Sequence, residues 1–141
     1  MTFPLAGLLR IRGAQERVAA ENLSRASADR ARAEAAAQRA VSRLADSGVE
    51  VGDDRTLLAL AAARAAGRSA LSDLQALAQL RRDEEAEAKA AHLEARRELK
   101  GLERLESAYS AQTRKAELAA EQGVLDEIAV TNTVRREGSA A

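Results

Sequence analysis

Asp46-Ser47-Gly48-Val49-Glu50-Val51-Gly52-Asp53-Asp54 is the stretch on which the fold turns. Its two glycines and clustered Asp and Ser supply turn chemistry, and Asp53 or Asp54 can cap the helix that follows. On both sides the chain is built from helix formers. Upstream, Pro4 suits the first turn of a helix, where its missing N–H costs nothing, and from Leu5 to Ala45 only Gly7 and Gly13 interrupt. Downstream, residues 55–136 contain no proline. Gly67, Gly101 and Gly123 each weaken a helix by about 1 kcal/mol relative to Ala, and Gly67-Arg68-Ser69 is a candidate break. Gly138, behind Arg135 and Arg136, reads as a stop in the left-handed cap conformation. These signals predict an all-α chain, a long antiparallel two-helix coiled coil (α-hairpin) with a longer second helix. It is read as a single coiled-coil domain over 1–141, with a helix over 4–45, a turn over 46–54, a helix over 55–136 and a frayed tail over 138–141.

Composition supports this reading. Ala, Leu, Arg, Glu and Lys make up 90 of the 141 residues, well above the roughly 50% that marks coiled coils and long helices. Phe3 and Tyr109 are the only aromatics, and most of the apolar fraction is alanine, too small to fill a globular core. A two-helix seam needs only one apolar stripe per helix. In the first arm that stripe falls at Ala19, Leu23, Ala26, Arg30, Ala33, Ala37, Ala40 and Leu44, spaced by threes and fours. In the second arm Leu102, Leu105, Tyr109, Gln112, Ala116 and Ala119 continue such a spacing. At 1.5 Å per residue the arms would be ~60 Å and ~120 Å long. The second must therefore overhang or bend, with Leu44 near its start and Leu5 near residues 95–115.

Several function classes are disfavoured. With no cysteine there is no disulfide scaffold, thiolate metal site or thiol nucleophile. His92 is the only histidine and reads as a solvated or seam-edge residue. No phosphate loop or hydrolase motif occurs, so the reading is of a non-enzyme with no cofactor and no metal. Net charge is zero, from 22 basic and 22 acidic side chains, which removes the long-range pull toward nucleic acid. The longest apolar run, Leu57–Ala63, has seven residues, far short of the ~20 that cross a bilayer. A soluble cytoplasmic protein without direct membrane insertion is expected.

Residues 81–106 carry seven basic and eight acidic groups. Pairs such as Glu85 with Lys89 and Glu94 with Arg97 have the spacing of one helix face and read as a hydrated flank. Mixed charge of this kind also suits a rod that sits inside another protein's sleeve without adhering. Two apolar clusters spread too widely for a single seam. Phe3, Leu5, Leu8, Leu9 and Ile11 crowd the start, and Leu57, Leu58, Leu60, Leu71 and Leu74 crowd the hairpin end.

Three stretches resemble the flagellar export protein FliJ family. The opening Phe3-Pro4-Leu5-Ala6-Gly7-Leu8-Leu9-Arg10-Ile11-Arg12 is similar to its start, an aromatic followed by a Leu pair and alternating Arg. The run Leu93-Glu94-Ala95-Arg96-Arg97-Glu98-Leu99-Lys100-Gly101-Leu102-Glu103-Arg104-Leu105 resembles its mid-helix segment, with His92-Leu93 where the family often places a Trp. Glu121-Gln122-Gly123-Val124-Leu125-Asp126-Glu127-Ile128-Ala129 resembles its C-terminal element. The resemblance implies a stalk component of the flagellar type III export ATPase complex, comparable to the central stalk of rotary ATPases. Such a stalk is cytoplasmic and peripheral to the inner face of the cell membrane, and serves flagellum biogenesis, motility and chemotaxis. The partners it implies are a hexameric flagellar export ATPase, an export gate protein and export chaperones. By that analogy Phe3, Leu5, Leu8, Leu125, Asp126 and Glu127 are candidates for the ATPase ring. Leu57, Leu60, Leu71 and Leu74 are candidates for the gate. The alternatives are a structural coiled-coil spacer and the equivalent stalk of a virulence type III secretion system.

Overall fold

A computed structural model describes residues 2–48 and 52–140. Val49, Glu50 and Val51 of the turn, and Ala141 of the tail, lie outside the described residues. The rest forms two helices, α1 (Ala6–Asp46) and α2 (Asp54–Ser139), an α-hairpin with the longer helix second. Pro4 stands just ahead of α1, where Ala6 N–H donates to the Phe3 carbonyl at 3.1 Å. Asp53 caps α2 as its side chain predicts. One carboxylate oxygen accepts from Thr56 N–H at 2.8 Å, while its carbonyl accepts from Leu57 N–H at 3.0 Å.

Two expected interruptions do not occur. α2 runs unbroken through Gly67, and Gly138 lies inside its last turn, with no positive φ among the described residues. At Gly67 the reason is packing: an added Cβ would stand 2.6 Å from Leu44 Cδ2. The missing side chain makes the hole into which Leu44 fits.

By contacts the chain divides into two compact units, Ala14–Arg96, and Met1–Gly13 with Arg97–Ala141. In the first, α1 and α2 run antiparallel. Leu44 meets Gly67, Glu34 meets Arg82, Arg30 meets Glu85 and Glu16 meets His92, so each step back along α1 is a step forward along α2. All eight positions of the first-arm stripe are buried or half-buried. On α2 the shielded positions include Leu60 and, seven residues on, Gly67, followed at steps of three and four by Leu71, Leu74, Ala78, Arg81, Glu85, Ala88, His92 and Ala95. Leu44 is not near the start of α2. The first three turns of α2 precede its level, which leaves Leu57 and Leu58 exposed at 53% and 71%.

This seam is thin. Its fully buried members are Ala33 and Ala78, at 7% and 2% exposure, and no large side chain is fully enclosed. Charge occupies the neighbouring layers. Arg30 lies 2.8 Å from Glu34 and 2.6 Å from Glu85, and Arg82 closes on Glu34 at 2.8 Å. Glu85 thus pairs across the seam rather than belonging to a hydrated flank. The Arg82 hydrogen bond, with the nearby Arg30 charge, holds the Glu34 carboxyl below its ordinary range, against a smaller opposing effect of burial. His92 sits at the seam edge, its Nε2 2.9 Å from Glu16.

In the second unit the N-terminal residues lie against the middle of α2. The Phe3 and Tyr109 rings are 5.6 Å apart, tilted at 53°, and Arg12 pairs with Glu98 at 2.5 Å. Leu5 therefore falls within the expected span of α2. Leu102 is the buried centre of this unit at 9% exposure. The shielded positions onward are Glu106, Tyr109 and Thr113; Tyr109 is where the expected stripe put it, Glu106 and Thr113 are one residue beyond the expected Leu105 and Gln112, and Ala116 and Ala119 are exposed. Leu105 is 54% exposed. Apolarity suggested the wrong frame because Glu106 takes a facing position that a leucine would normally hold.

Two measurements follow. Gly101 is exposed, and a Cβ there meets nothing within 4 Å. Gly101→Ala should stabilise the hairpin by about 1 kcal/mol. Gly67→Ala should gain distinctly less, because the Leu44 methyl must move; thermal melts followed by circular dichroism at 222 nm rank the two. A carboxyl whose folded pKa is depressed stabilises fully above its unfolded pKa and loses that effect as pH falls through the folded value. The melting temperature should therefore drop as pH falls below Glu34's ordinary 4.5, and Glu34→Gln should flatten that drop.

Candidate partner-binding surfaces

Single apolar side chains, among them Val18, Val41, Leu77, Leu80 and Leu93, are exposed along the paired helices, and two places hold more. At the hairpin end the last turns of α1 and residues 60–74 of α2 enclose a groove of about 310 Å³. Leu44, Leu60 and Leu74 form its walls, and Ala63, Gly67 and Ala70 keep it open. Arg43 and Arg64 stand on its lining. Neither has a carboxylate partner among the described residues; Arg43 Nε donates only to the Arg39 carbonyl of its own helix, at 3.4 Å. That contrasts with Arg30, Arg81 and Arg82, each ion-paired. Asp53, at the tip, is held below the usual carboxylate range by its hydrogen bonds to Thr56.

Of the residues singled out for an export gate, Leu60 and Leu74 line this groove together. Leu71 is half-buried in the seam, and Leu57 points to solvent. The groove's arginines and its floor at Gly67 escape a sequence reading, since their roles depend on which residues of α1 stand opposite.

In the other unit every described residue after Thr113 is exposed. Leu118, Val124, Leu125, Ile128, Val130 and Val134 are 52–63% exposed on a helix with no second helix beside it. Leu118, Leu125 and Ile128 share one face by their spacing of seven and three. Asp126 accepts from Gln122 at 3.0 Å, and Glu127 has no cation partner among the described residues. The proposed ring residues thus form two groups. Phe3 is engaged by Tyr109, with Leu5 and Leu8 exposed at 41% and 39% beside it. Leu125, Asp126 and Glu127 stand about four turns further along α2.

No helix among the described residues is long and apolar enough to cross a membrane, and they hold no cluster of His, Cys, Asp and Glu fit for a metal ion. What the geometry presents is a two-helix coiled coil with a leucine-walled groove in one unit and, in the other, a bare stretch of helix carrying exposed leucines and valines. The family model described as Flagellar FliJ protein matches residues 1–138, and the chain belongs to the FliJ family, a component of the flagellar export apparatus. No curated protein and no solved structure matches the chain.

Proposed function

We propose that this chain is the stalk of the flagellar export ATPase complex, engaging the hexameric ATPase ring and linking it to the export gate. The observation that carries the reading is the bare stretch of α2 after Thr113. A solitary helix of this length is marginal in water, because helices gain most of their stability from packing. Exposed leucines on such a stretch signal a surface that a partner covers. Leu125, Asp126 and Glu127, with Phe3, Leu5 and Leu8, are the ring contacts in this reading. Leu57, Leu60, Leu71 and Leu74 serve the gate.

The mechanism is mechanical. A stalk accelerates ATP hydrolysis without touching ATP if it binds one conformational state of a ring subunit more tightly than the others. Asymmetry around the rod supplies that difference, with Leu118, Leu125 and Ile128 on one face of α2 and Val130 and Val134 on another. Flanks of mixed charge offer no single complementary wall to the rest of the ring. Export chaperones are further candidates for the exposed apolar surface.

Leu125→Ala combined with Asp126→Ala should raise the concentration of chain needed for half-maximal ATPase stimulation by about tenfold, the scale of losing an interface anchor. Helix content by circular dichroism should stay unchanged. Equal stimulation by variant and parent would remove these residues from the ring contact. Leu57→Ala should likewise weaken capture of the gate protein in a pull-down.

A further inference from the structure

The two surfaces just described complement each other. Residues 116–130 carry Glu117, Glu121, Asp126 and Glu127 and no Lys or Arg. Spacings of three, four and seven place Glu117 and Glu121 beside Leu118, Leu125 and Ile128 on one helix face. This stretch of helix carries glutamates and leucines on the same face and is exposed along its length. The hairpin-end groove is its counterpart, with leucine walls, Ala63, Gly67 and Ala70 permitting close approach of a third helix, and Arg43 and Arg64 without carboxylate partners among the described residues. A groove between two helices that accepts an apolar helix face through anchors at such spacings is a recurrent recognition mode.

We propose that residues 116–130 of one copy dock in the hairpin-end groove of a second copy, Glu117 and Glu121 pairing with Arg43 and Arg64. The contact joins two different patches, so it is heterologous, and copies can exchange it reciprocally or pass it from one to the next. It covers Leu118, Leu125 and Ile128 of one copy and the leucine walls of the groove of the other. The inference does not rest on the stalk reading, since it needs only the two surfaces, and ATPase stimulation tests that reading separately.

Sedimentation of the full chain over a wide concentration range tests it. The average mass should climb with concentration above that of a single chain, and the climb should weaken in high salt. Arg43→Glu/Arg64→Glu and Glu117→Lys/Glu121→Lys alter exposed helix positions, and each variant alone should associate about tenfold more weakly. Helix content by circular dichroism should match the parent for both. Mixed together, one variant lacks the groove and the other lacks the acidic face. The charge-reversed surfaces still complement each other, as do the two intact ones, so the mixture should recover association that neither variant shows alone. A synthetic peptide of residues 116–130 should bind the labelled parent chain and fail to bind the Arg43→Glu/Arg64→Glu variant. Two results would overturn the proposal: a constant monomer mass with no peptide binding, or binding indifferent to both charge reversals.

Discussion

Alanine facing alanine lets two helices approach closely but removes little apolar area from water. That constraint shapes the molecule. Ala33 and Ala78 are enclosed, and large side chains at the seam stay partly wet. A seam so uniform would hold the two helices together almost equally well in several registers. What distinguishes one register is the set of residues that are not alanine: the Arg30, Glu34, Arg82 and Glu85 cluster, Leu44 against Gly67, and the Phe3 ring against Tyr109. Sliding α2 by seven residues would set Arg30 against Ala78 or His92 instead of Glu85, and Leu44 against Leu60 or Leu74 instead of Gly67. Either slip trades a partner for a mismatch.

The pairs are half-exposed, so their value lies in choosing among arrangements rather than in adding stability. Arg30 shows how one residue does both. It occupies a facing position in the apolar stripe, and there it reaches a carboxylate on its own helix and another on α2. A leucine in its place would bury more area but would pack in any register.

The hairpin was legible because its evidence is local. A break between the helices after Asp46, a cap at Asp53 and a first-arm stripe from Ala19 to Leu44 are each read within a few residues, and the described residues bear out all three. What was not legible depends on pairs far apart in sequence. Glu85 has the spacing of a flank pair with Lys89, yet it serves Arg30, fifty-five positions earlier in the chain. Leu105 has the apolarity of a facing residue, yet Glu106 holds that position. Gly67 looks like a break until Leu44 is seen to need the space. Of the groove only Leu60 and Leu74 were legible, since its other wall comes from α1 and its place follows from the register.

The unequal lengths of the helices explain where the adhesive surface lies. Within Ala14–Arg96 the apolar stripes of α1 and α2 shield one another, and the outward positions mix charged residues with scattered apolar ones such as Val18, Leu80 and Leu93. Past Thr113 α2 continues without a mate, and before Leu60 it begins without one. At both places leucines are left uncovered, Leu57 and Leu58 at one and Leu118 and Leu125 at the other. A hairpin of equal arms would have hidden both sets. Where α2 has no mate, its apolar residues remain open to a partner. The same geometry carries a hazard, because surfaces left bare for partners are bare for other copies as well. The opposite charges of the two places, acidic on the extended helix and basic at the groove, turn that hazard into a specific pairing rather than indiscriminate aggregation.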